Sequence, residues 1–190
     1  MITVDEIRNW GNNNVILNCG TGSGKTHLIL NRLATVHLEP FKRILILSSR
    51  DALRREIKRE IERGLIVNVE VSSYQHIESS IRHETTYLSE IFNKKYDIIV
   101  LDECQHWVEE ISAYTDLSFN WVIKQDAQKI FMSATANSLF RHLIEEGTVS
   151  FDYVYHIPKS YEYVNDIYFF NKKSDIELIV DDLMLNTKDK

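Results

Sequence analysis

Several stretches of this chain are apolar without alternation: Val15–Leu17, Ile44–Leu47 and Ile98–Leu101. A strand with one face in water alternates apolar and polar residues, whereas a strand covered on both faces reads as a near-continuous apolar run. Such runs, separated by segments of helical periodicity, point to the α/β class: a mostly parallel sheet with helices on both faces. Buried strands are predicted at Val15–Asn18, Arg43–Ser48, Ile66–Val71, Asp97–Leu101 and Lys129–Met132, with another at Tyr153–Ile157 that Pro158 ends. Helices are predicted at about Lys25–His37, Arg50–Arg63, Tyr74–Arg82, Leu88–Asn93 and Ser138–Glu146, with Gly64 and Gly147 as their C-caps. Further on, Asp166–Phe170 reads as a strand, and Ser174-Asp175-Ile176-Glu177 reads as a capping box that opens a helix.

Composition narrows the classes. With 44% apolar residues the chain can build a packed core, and its 26% charged residues suit a soluble protein. The apolar runs fall far short of the roughly 20 residues that cross a bilayer, so no membrane partner is expected. Met1-Ile2-Thr3-Val4-Asp5-Glu6 lacks the basic-then-apolar order of a secretory signal. Two cysteines, Cys19 and Cys104, do not make a disulfide scaffold, and their use fits a reducing, cytoplasmic setting. The seven histidines have no paired Cys/His spacing, which argues against zinc. A net charge of −6 is unlike the basic footprint of a general nucleic-acid binder and leaves room for a local basic patch.

Two motifs carry chemistry. Cys19-Gly20-Thr21-Gly22-Ser23-Gly24-Lys25-Thr26 follows a predicted strand and opens a predicted helix. Glycines let such a loop curl so that its N–H groups point at phosphate oxygens. Lys25 would then meet the β- and γ-phosphates, and the Thr26 hydroxyl would meet Mg2+. The pattern G-x-x-x-x-G-K-[ST] fails only at its first position, Cys19. The bland alternative is a chance Gly-rich turn, against which the Lys-Thr pair stands in register. The second motif is Ile98-Ile99-Val100-Leu101-Asp102-Glu103-Cys104-Gln105, an apolar strand ending in two acids. A carboxylate at a strand tip can anchor Mg2+ through its hydration shell, and the next can take a proton from water. Alone, this pair reads equally well as a solvated acidic turn.

Together the motifs resemble the Walker A and DExH elements of superfamily 2 helicases. Ser48-Ser49-Arg50-Asp51-Ala52-Leu53 looks like motif Ia, Val71-Ser72-Ser73-Tyr74-Gln75 like motif Ic, and Ser133-Ala134-Thr135 like the SAT of motif III. The resemblance covers roughly residues 10–157 and is most similar to bacterial and phage DExH-type members. It implies a RecA-like P-loop domain over residues 1–157, with residues 158–190 a linker and first elements leading to a second RecA-like domain, in cis or in trans. It implies ATP and Mg2+ as ligands, with Gly20, Thr21, Gly22, Ser23, Gly24, Lys25 and Thr26 at the phosphates. Thr26, Asp102 and Glu103 fall at the metal, and Glu103, Lys25 and Gln105 fall in catalysis. Ser133, Ala134 and Thr135 fall in coupling, and Ser48, Ser49, Arg50 and Ser73 at a DNA or RNA backbone. It places the Lys129–Met132 strand between the phosphate-loop strand and the Asp97–Leu101 strand.

There are departures from the family pattern. Gln105 stands where a histidine is usual, with His106 one place later, and no glutamine-bearing adenine motif precedes Val15. Most of the basic residues of Arg50–Arg63 read as a solvated helix face, Arg50 excepted. The aromatic set Trp107, Tyr114, Phe119 and Trp121 reads as core or interface packing in preference to base stacking. A rival to the enzyme is a stand-alone nucleotide-sensing or partner-binding module. A small kinase would need an acceptor site and a lid, for which no residues speak.

Overall fold

The six strands predicted between Val15 and Ile157 form one six-stranded sheet. The structure, a computed structural model, describes residues 2–20, 22–38, 41–63, 66–109 and 115–157. The strands are β1 (Val15–Cys19), β2 (Ile44–Ser48), β3 (Val69–Ser72), β4 (Ile98–Asp102), β5 (Gln128–Ser133) and β6 (Val154–Ile157). Their order is β3-β2-β4-β5-β1-β6 and every pairing is parallel. β5 therefore lies between β1 and β4, as the resemblance implies.

Side chains alternate along a strand, so each run feeds two cores. Val15, Leu17, Ile44, Ile46, Val100 and Met132 face one side. There they meet α1 (Val4–Asn9), the helical run after the glycine loop, and α4 (Asp51–Glu62). That run comprises α2 (Lys25–His27), a π-helical segment Leu28–Leu33, and α3 (Ala34–Val36). Ile16, Leu45, Leu47, Ile99, Leu101 and Phe131 face the other side. There they meet α5 (Tyr74–Arg82), α7 (Thr115–Ile123) and α8 (Asn137–Glu145). A short α6 (His106–Glu109) follows β4.

Several expectations shift. The strand predicted from Ile66 begins only at Val69: the chain bends at residues 67 and 68, where the buried Asn68 side-chain amide donates to the carbonyls of Ala34, His37 and Lys42. The helix predicted at Leu88–Asn93 is a pair of 3-10 turns, Thr86–Leu88 and Glu90–Asn93. α1, α6 and α7 were not predicted. Gly147 follows α8 with φ +69, as a C-cap should. Trp107, Phe119 and Trp121 pack partly buried against the second core, with Trp107 edge-on to Phe119 at 5.1 Å. Both cysteines are buried and unbridged. Among the described residues no helix is long and apolar enough to cross a membrane. Thr21, Gly64, Tyr114 and the elements predicted within residues 158–190 lie outside the described residues.

Candidate active site

The chemistry-bearing residues gather at the carboxyl ends of the central strands, where parallel α/β sheets hold ligands. β1 runs straight into the glycine loop. Gly22 and Gly24 have φ of +77° and +82°, a backbone region that side chains with a Cβ disfavour. A Cβ at either would meet nothing within 4 Å, so the requirement for glycine is conformational and not one of space. Ser23 Oγ donates to the Gly20 carbonyl at 2.7 Å and closes the loop on itself.

Across from the loop, β4 delivers Asp102 and Glu103. Asp102 is 1% exposed. Its Oδ2 accepts from Ser48 Oγ at 3.1 Å. Its Oδ1 accepts no hydrogen bond and lies 3.6 Å from Lys25 Nζ. Glu103 turns the chain with φ +53, in the left-handed region. Its Oε1 accepts from Lys25 Nζ at 2.7 Å and pairs with Arg50 Nη2 at 2.9 Å. Its Oε2 accepts from Gln105 Nε2 at 2.9 Å. A cavity of about 730 Å³ opens over these groups and is lined by Gly24, Lys25, Thr26, Arg50, Asp102 and Glu103 among others.

The charges follow from these contacts. Burial pushes the Asp102 carboxyl above its ordinary value, and the attraction of Lys25 only partly offsets this. Burial also pushes Glu103 up, but the hydrogen bonds from Lys25 and Gln105 and the charges of Lys25 and Arg50 outweigh it, so its carboxyl sits below the usual value. Burial disfavours the Lys25 ammonium, yet the two acids more than restore it and its value is raised. Burial raises the Cys19 thiol to about 11 and the Cys104 thiol further, so neither is a nucleophile at neutral pH.

Gln105 links the acid turn to β5. While Nε2 serves Glu103, Oε1 accepts from Ser133 Oγ at 2.5 Å. Ser133 Oγ in turn accepts from the amides of Thr135 and Ala136 at 3.0 and 3.1 Å. Ala134 and Thr135 are exposed at the sheet's upper rim. His106 points elsewhere: it is buried, stacks on Tyr74 at 5.1 Å and approaches Glu78 at 3.5 Å.

The residues expected at a nucleic-acid backbone divide. Ser48 is fully buried and its hydroxyl is spent on Asp102, so it supports the acid and cannot touch a backbone phosphate. Ser49 and Ser73 are part-exposed at the ends of β2 and β3, and Ser73 Oγ caps α5 by accepting from the His76 amide. Arg50 is exposed but reaches inward to Glu103. Sequence reasoning missed Tyr74 as a site residue: fully buried, it donates its hydroxyl to the Asp102 carbonyl at 3.0 Å. Nothing in its spacing marks it.

A family model described as DEAD/DEAH box helicase matches residues 2–142. No curated protein matches the chain. Among solved structures, the chain is similar to the Pyrococcus furiosus Hef helicase domain, with a TM-score of 0.54 and 15% sequence identity. That match covers 86% of this chain and 40% of the Hef chain, and at such identity it is a likeness of fold. The shared architecture is the RecA-like helicase fold. Because the family model spans most of its length, this chain belongs to the DEAD/DEAH box helicase family.

Proposed function

We propose that this domain binds ATP with Mg2+ and hydrolyses it to ADP and phosphate in response to nucleic acid. It would act as the first RecA-like domain of a DExH-type superfamily 2 helicase of the bacterial or phage kind. Residues 1–157 form the ATP-binding domain in this reading, and residues 158–190 lead toward a second RecA-like domain. The observation that carries it is the convergence of Lys25, Asp102 and Glu103, with Lys25 Nζ 3.6 Å from one acid and 2.7 Å from the other.

The loop's amides and Lys25 would take the phosphate oxygens. Asp102 Oδ1, buried and without a hydrogen bond, fits a hydrated divalent cation, and Thr26 lines the same cavity. Mg2+ bound there supplies charge neutralisation at the phosphoryl oxygens. Glu103 would accept the proton of the attacking water. Gln105 holds Glu103 on one side and Ser133 on the other, so motion of the β5 rim reaches the acid through two hydrogen bonds.

Calorimetry with ATP and Mg2+ tests the binding part. Lys25→Ala is expected to weaken ATP by about 10- to 100-fold, the worth of a charge-assisted contact to phosphate. Undiminished binding by the variant would remove Lys25 from the site, and no binding by the wild type would sink the reading.

Ser49, Arg50 and Ser73 are the residues proposed to meet a DNA or RNA backbone. Phosphate contacts carry no sequence information. Arg50→Ala should therefore weaken binding to the same degree across sequences and reduce the salt slope by about one. Fluorescence anisotropy over several oligonucleotides and salt concentrations measures both, and an effect confined to one sequence would mean base readout instead.

A further inference from the structure

Both oxygens of Glu103, the group proposed to take a proton from water, are engaged: Oε1 by Lys25 and Arg50, Oε2 by Gln105. A carboxylate ringed by donors has little room left for a water. Of the three donors, Lys25 would turn to the phosphates when ATP arrives, and Gln105 is tied to Ser133. Arg50 is different. Its side chain is 52% exposed, so the guanidinium spans from the acid site to the surface. Its backbone is extended, at the junction between β2 and α4, and its side chain caps nothing. It is also the residue proposed above to meet a nucleic-acid phosphate. One guanidinium cannot hold both partners in the same geometry.

We propose that Arg50 is a latch on Glu103 that a nucleic-acid phosphodiester opens. Without nucleic acid the guanidinium occupies Glu103 Oε1. A backbone phosphate at the Ser49–Arg50 rim draws the guanidinium outward and returns Oε1 to the cavity over the ATP site. The inference rests on the functional reading above and adds the regulation of that site. Exchange is feasible because the guanidinium end of the pair is 52% exposed, although Glu103 is buried, and a phosphate offers the planar guanidinium an equally good two-pronged partner. The two occupancies are alternatives, so they are linked: whatever loosens Arg50 from Glu103 must strengthen phosphate binding, by up to the same factor.

That reciprocity gives a test that needs no turnover. The affinities of oligo(dT) and oligo(rU) are measured without nucleotide for the wild type, Glu103→Gln, Arg50→Ala and the double variant. Glu103→Gln is expected to tighten binding by about two- to five-fold, as for an ion pair whose cation is half in water. In the Arg50→Ala background the same change should do nothing, and Arg50→Gln should behave as Arg50→Ala does. Equal tightening in both backgrounds would mean that only a general negative charge was removed, and the latch would be wrong. No tightening in the wild-type background would overturn it as well. Binding of neither oligonucleotide by any variant would overturn the nucleic-acid reading and the latch with it, a result distinct from binding without coupling. The two oligonucleotides report whether a DNA or an RNA backbone opens the latch.

Discussion

Replacing Glu103 with glutamine is expected to slow ATP turnover by about 10²–10⁴, the usual worth of a positioned general base. ATP affinity should stay within a few-fold of wild type. The exchange is nearly isosteric, and a glutamine oxygen can still accept from Lys25, now 2.7 Å from Glu103 Oε1. What an amide cannot do is take a proton. The backbone should not move either. Glu103 sits at φ +53, which is costly for a residue other than glycine and persists only where the surroundings fix it. Here they do. The Cys104 amide donates to the Met132 carbonyl at 3.2 Å, and the His106 amide donates to the Glu103 carbonyl at 3.1 Å. Tyr74 holds the carbonyl of Asp102 from below at 3.0 Å. A loss of rate without a loss of binding would therefore be chemical in origin. Phosphate release and calorimetric ATP binding, measured on the same preparation, check it. Hydrolysis at the normal rate by the variant would assign the base to another residue.

The central strands were legible because each is buried on both faces and so carries an unbroken apolar run. Ile44–Leu47 needs no partner to announce itself. The glycine loop and the two acids could be proposed as a site because each ends an apolar strand, though the acid pair alone reads equally well as a solvated turn and gains weight only beside the loop. Other elements failed for identifiable causes. α1 carried its own signal, since Thr3 and Glu6 form a reciprocal capping box, but the helix is only six residues long and its single buried residue, Ile7, gives no periodicity. α7 has apolar residues on several sides, so no single stripe marks it, and its burial against α5 comes from tertiary packing. The contact of Ser48 with Asp102 could not be read from a motif, because it depends on register, and the Arg50–Glu103 ion pair leaves no trace in the spacing. Ser48 lies directly opposite Asp102 in the β2–β4 pair, and that alignment turns its hydroxyl to the acid.

By itself the chain is expected to bind nucleotide, to release phosphate slowly and to leave a duplex unopened. The described residues hold the site from one side. Lys25 follows the glycine loop, and Asp102 and Glu103 stand opposite it at the end of β4. The cavity above them, about 730 Å³, is open. In the transition state of phosphoryl transfer, charge spreads over the equatorial oxygens, and cations are needed on the far side as well. Arg50 does not supply that side, since its guanidinium is already on Glu103, at the same rim as Lys25. A second RecA-like domain would bring an arginine finger, typically worth about 10³–10⁵ in rate, or roughly 4–7 kcal/mol of barrier. Unwinding asks for more than hydrolysis, because two domains must grip and release a strand in turn. The decisive measurement is phosphate release by purified monomer, with and without single-stranded DNA or RNA. Slow release that rises by orders of magnitude only when a second RecA-like domain is supplied, in cis or in trans, is the expected result. Brisk, nucleic-acid-stimulated turnover by the monomer would mean that self-association, or a side chain of this chain, closes the far side of the site.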